Sequence, residues 1–179
     1  MISLVHSREA LVAELRERGV DYLTPTDARL DQPIDDESLI ASLASHPDPR
    51  LRQALIAVFL LQPHLAPFVP RLQNKLETKA AQELTAFYMA AVYLQSMWRI
   101  RLSHYMESIT ELPDYFSVEL GLPHVNDEYG KVGLYELAEW HANQSPYRFN
   151  HLSEYEGVAD LLFQSFKLRR RRNELASAS

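Results

Sequence analysis

Cysteine is absent from the 179 residues. Disulfides, thiolate metal sites and a cysteine nucleophile are thereby excluded. Glycine is scarce, with five in the chain. Neither of the glycine-built phosphate loops, G-x4-G-K-[ST] and G-x-G-x-x-G, occurs, and the nucleophile elbow G-x-S-x-G is missing too. Long apolar runs are also lacking. Tyrosine aside, the longest covers residues 54–61, far short of the roughly 20 residues that cross a bilayer. The opening MISLVHSREALVAEL meets charged residues before any long apolar stretch, so it does not read as a signal peptide. A cytoplasmic protein is the expectation. No acidic triad stands at close spacing, so no nucleotidyltransferase core is visible.

What is present reads as an ordinary globular chain, 46% hydrophobic and 23% charged. Its length suits one domain with a substantial core. The stretch 78–109 holds no Gly and no Pro. Apolar residues recur there at Leu84, Phe87, Ala91, Leu94, Trp98, Leu102, Tyr105 and Ile109, the spacing of one helical face. Tyr88, Met89, Val92, Tyr93, Met97 and Ile100 widen that face to most of the circumference, the mark of a central, buried helix. Unbroken, it would reach roughly 48 Å, so a bend or break is expected within it. The predicted fold is all-α: a single compact domain of six or seven helices around this one, spanning residues 1–172. Residues 173–179 form a small polar tail expected to fray.

Around the centre, caps and prolines punctuate the chain. Ser7 caps a helix over 8–18, ended by Gly19. Residues 20–23 alternate and fit an edge strand or extended chain. Residues 24–36, with Pro25 and Pro33, read as loop. Asp35 or Asp36 caps a helix to Ser45, and Asp48 with Pro49 opens a strongly apolar helix to Gln62. Arg50 and Arg52 sit at the positive end of that helix, which calls for a carboxylate partner. A short helix is expected over 66–76. Residues 110–133 form the longest connector; a loop of this length is usually functional or packed by its own side chains. A helix follows over 134–143. The pattern Ser153-x-x-Glu156 then reads as the capping box of a last helix, burying Val158, Leu161, Leu162 and Phe166.

Charge is uneven. The net charge is −6, yet Lys167, Arg169, Arg170, Arg171 and Arg172 alone carry five positives, which leaves −11 on the rest. An acidic body does not invite nucleic acid, whose phosphates need a basic surface. The basic tract could grip nucleic acid, an acidic partner or a membrane surface locally, or simply end a helix beside its negative pole.

Two further groups of residues carry possible chemistry. Arg99 and His104, in the run R-I-R-L-S-H, resemble the R-x4-6-H motif of the HEPN family of all-helical proteins. That resemblance implies a metal-independent ribonuclease in which the histidine moves a proton and the arginine holds phosphate charge at a dimer cleft. The sequence departs from the family at Ile100, where a polar residue is usual, and Arg99 and His104 lie about 140° apart on an ideal helix. The bland alternative is a surface arginine and a half-buried histidine. The second group is His141, Asn143, Tyr147, Arg148 and His151, with Gln144 and Asn150. Aromatics, amides and imidazoles in one connector suit a small ligand or a base, or merely cap two helices. His124, Asp127 and Glu128 form a weaker group. No H-x3-H pair occurs among the seven histidines, and no metal and no cofactor are expected.

Short proline-punctuated helices on one long helix are also similar to small bacterial proteins that partner toxin or nucleotidyltransferase subunits. That likeness implies a protein-binding role. The leading expectation is therefore a non-catalytic cytosolic interaction or regulatory protein that docks to another macromolecule, itself or another protein, with no membrane contact. The alternatives are the HEPN-like ribonuclease and a nucleic-acid-binding regulator using the arginine tract. A dimer is expected, because one face of the central helix needs a cover, unless the 110–133 connector folds back over Tyr93 and Met97.

Overall fold

The computed structural model describes residues 6–24, 27, 29–30 and 32–178. Pro25 and Ser179, part of the expected loop and tail, lie outside the described residues. Within them are nine α-helices and no strand. They are α1 (Arg8–Glu17), α2 (Asp36–Ser45), α3 (Pro49–Leu61), α4 (Phe68–Gln73), α5 (Thr78–Met97), α6 (Arg99–Ser103), α7 (Ser117–Leu120), α8 (Lys131–Asn143) and α9 (His151–Ser177). The count exceeds six or seven because α6 and α7 are single short turns in stretches read as long helix and loop. The extended segment 20–23 forms no strand.

The caps follow elementary chemistry. Ser7, Asp35 and Asp48 each accept a backbone N–H of the helix they open. Arg52 finds its carboxylate in Glu83, at 3.0 Å. One start was misassigned: α9 begins at His151, capped by the Asn150 side chain, which accepts from Ser153 N. Ser153 is thus inside the helix, and Ser153-x-x-Glu156 is no capping box.

Helix α5 is the centre. Every residue from Leu84 to Gln95 is buried, because α2, α3, α4, α8 and α9 all pack around it. Leu94 is fully buried, as its spacing predicts, whereas Trp98 is only half-buried. The helix ends at Met97 rather than near 109, and the cause lies in Gln95. Its amide donates to Thr110 O (2.9 Å) and accepts from Leu112 N (2.8 Å). A continuous helix would carry residue 110 roughly 22 Å from residue 95. The chain instead breaks at Trp98, makes α6, and turns back.

That return covers the second face of α5. Tyr88 donates its hydroxyl to Pro113 O (2.6 Å) and stacks on Tyr115, with Phe116 edge-on. Tyr93 donates to Pro123 O (2.7 Å). Burial pushes both phenols well above the ordinary tyrosine range. The fit on Tyr93 is close enough to require glycine: a Cβ on Gly133 would lie 2.1 Å from the Tyr93 ring. The 110–133 connector is therefore the cover for the aromatic face, seated on Tyr88 and Tyr93. Val118 is an exception, 93% exposed.

Candidate functional site

At one end of the bundle, α3, α5 and α9 begin and α8 ends. Between these termini lies a cleft of about 460 Å³. Its floor is a chain of paired polar groups. Arg52 of α3 binds Glu83 of α5 (3.0 Å), and Glu83 Oε1 lies 3.0 Å from His141 Nε2 of α8. His141 Nδ1 lies 2.7 Å from the Tyr155 hydroxyl of α9. A carboxylate accepts only, so His141 carries its proton on Nε2 and takes the tyrosine O–H at Nδ1. Burial raises the Glu83 carboxyl, but the His141 hydrogen bond and the Arg52 charge outweigh it and hold the group below its usual range. Tyr155, fully buried, is pushed well above the tyrosine range by burial and by Glu154 and Glu83.

His151 stacks on His141 with ring centroids 3.7 Å apart. Its Nδ1 lies 2.7 Å from Glu154 Oε2, while Glu154 Oε1 accepts from Gln53. The same logic puts the His151 proton on Nδ1, leaving Nε2 as a bare acceptor. His151 is 8% exposed and lines the cleft. Among the described residues Nε2 has no hydrogen-bond partner.

The structure thus brings together three of the residues singled out from the polar connector, His141, Gln144 and His151, while Asn150 caps α9. It leaves out the others: Asn143 and Tyr147 are exposed, and exposed Arg148 pairs with Glu139 at 3.1 Å. Arg52, Gln53, Glu83, Glu154 and Tyr155 were missed as site members. Only Arg52's need of a carboxylate hinted at them.

Arg99 and His104 open onto different grooves. Arg99 shares its groove with Glu111 and Asn126. His104 lies beside α9, where its Nε2 accepts from Arg170 (2.8 Å). In the 124–128 group, Asp127 accepts from the His124 backbone N–H. No group of residues able to hold a metal ion occurs among the described residues.

The basic tract divides. Arg169 binds Asp21 at 3.0 Å and donates to Gly19 O, stapling α9 to the segment after α1. Arg170 pairs with Glu174. Lys167, Arg171 and Arg172 are exposed and form no ion pair among the described residues. Burial on α9 ends at Phe166, and the helix continues through Ser177, past the arginines and across most of the stretch expected to fray.

The outer face of α9 carries an unexpected pattern that begins in the packed half and runs into this distal half. Leu161, Leu168 and Leu175 are 42%, 53% and 72% exposed. Their spacing of seven keeps them on one line along the helix. Leu161, expected to be inward, therefore faces out. Arg171 and Arg172 flank that line on its two sides, about 60° and 40° from Leu168.

Comparison with known protein families, with curated proteins and with solved structures returns no match.

Proposed function

We propose that this chain is a non-catalytic docking protein whose partner is another protein, bound along the outer face of α9. The observation that carries this is the exposed leucine line at 161, 168 and 175, flanked by Arg171 and Arg172, which have no acidic partner among the described residues. A seven-residue apolar repeat on a helix is the seam used to pack against a second helix. Beyond Phe166 the helix has eleven residues with little packing beneath them, and so short a helix is marginal alone in water. A partner helix supplies the missing contacts.

Charge selects the partner. Arg171 and Arg172 on one copy would face their own like charges across a parallel pairing of two copies, whereas Asp or Glu beside an apolar seam complements them. The preferred partner is therefore an acidic amphipathic helix. A cytoplasmic setting belongs to the same proposal. Among the described residues no helix is long and apolar enough to cross a membrane.

The test is affinity purification of the full chain and of Leu168→Glu from cells that make the protein, with circular dichroism on both. The expected result is a stoichiometric protein partner that is lost in the variant while helicity is retained. Recovery of nucleic acid in place of protein would favour the arginine-tract alternative. A partner recovered equally with both chains would refute docking through α9.

A further inference from the structure

The polar cleft is independent of the α9 leucine face, and its chemistry points to a ligand of its own. Most of its polar atoms are spent on one another, so the few left open define what fits. On one wall, α5 begins at Thr78 with no side-chain cap, since Glu77 makes no capping hydrogen bond. The first N–H groups of this 20-residue helix therefore have no side-chain cap among the described residues, at its positive pole. Lys79 lines the same wall and has no ion pair among the described residues. From α9 the same cleft is lined by His151, more than nine-tenths buried, its ring oriented by Glu154 and its Nε2 without a hydrogen-bond partner among the described residues. The lip carries the Phe149 ring, 57% exposed.

We propose that this cleft binds a phosphorylated small molecule. The phosphoryl group accepts from the α5 N-terminus and pairs with Lys79, as anions do at open helix starts. His151 Nε2 accepts the P–O–H of the monoanion. With the proton transferred, the imidazolium stays paired with Glu154 and donates to the resulting dianion. The titratable and charged groups around this imidazole are Glu154 on its own helix, the His141 imidazole on α8, Glu83 and Lys79 on α5, and Arg52 on α3. Glu83 and Arg52 neutralise each other, so the ligand's charge is met mainly by Lys79 and the helix start. The volume, about 460 Å³, exceeds what phosphate alone fills and lies in the roughly 300–1,000 Å³ range of small-molecule sites. A nucleoside monophosphate would fill it, with its base on Phe149.

The test is calorimetry and imidazole-proton NMR on the full chain, with inorganic phosphate and adenosine monophosphate as separate probes. At least one probe is expected to bind with a Kd below about 10 mM and to shift the His151 resonance. Lys79→Glu, on an exposed side chain, is expected to weaken binding about tenfold or more without changing the melting temperature. His151→Asn is expected to abolish it. Tighter binding of the nucleotide, lost in Phe149→Ala, identifies a nucleotide site; equal binding of both probes identifies a phosphate site. No binding of either probe, or binding unaffected by Lys79→Glu, overturns the proposal. None of these outcomes depends on the α9 partner.

Discussion

The two halves of α9 are one continuous helix in two environments. From His151 to Phe166 it presents Tyr155, Val158, Leu162, Phe163 and Phe166 to the bundle, and its first turn supplies His151 and Glu154 to the cleft. From Lys167 to Ser177 nothing on it is buried. The proximal half holds its place by apolar burial and paired polar groups. The distal half is tied to the bundle near its root, by Arg169 on Asp21 and Arg170 on His104. The contrast separates stability from recognition within a single element. Substitutions of the buried residues in the first half should unfold the protein, and those along the exposed line and in the second half should leave it folded and alter what it meets.

The largest effect is expected at Phe163. Its ring is 2% exposed, sits edge-on to Trp98, and lies under the Arg101 guanidinium at 3.8 Å. Phe163→Ala removes these contacts and leaves a void, costing about 3–5 kcal/mol by denaturant unfolding. A loss below about 0.5 kcal/mol would show that the proximal half is not core.

Glu83→Gln comes next, at about 1–3 kcal/mol near neutral pH, because it weakens the bonds to both Arg52 and His141. The pH dependence follows from the lowered carboxyl. Folding holds Glu83 below its reference of 4.5, so its contribution is complete above that value and is lost as pH falls through the folded one. Melting curves of wild type and variant should converge below about pH 4.5. A constant gap down to pH 3 would contradict the relay. Tyr155→Phe, measured in the same way, should cost about 1–2 kcal/mol by leaving His141 Nδ1 without a donor.

The smallest effect is expected in the distal half. A chain ending at Arg170 retains the Asp21 and His104 contacts. Its stability should lie within about 0.5 kcal/mol of the full chain. A larger loss would make residues 171–177 part of the folded unit and would weaken the contrast.

Much of the fold was legible in residues close in sequence. Ser7, Asp35 and Asp48 announce their caps, and the crowded apolar spacing of 84–95 announces burial on every side. The break after Met97 was not legible in position, because it depends on Gln95 binding Thr110 and Leu112, a tertiary requirement that helix periodicity does not carry. The cleft was half legible. His141 and His151 stood out as imidazoles in one connector, but Arg52 and Glu83 reach them from helices 58 or more residues away from His141 or His151. The outward leucines were open to reading as a seven-residue repeat. They were missed because Leu161 stands beside Leu162, and the pair was read as one inward patch.

The most direct test of the central claim is site-specific photo-crosslinking in cells that make the protein. The photoreactive residue is placed at 168 on the leucine line and, as control, at 118, where Val118 is apolar and 93% exposed elsewhere on the surface. The account predicts a discrete protein adduct from position 168 and none from position 118. No adduct at 168, or the same adducts from both positions, would contradict it.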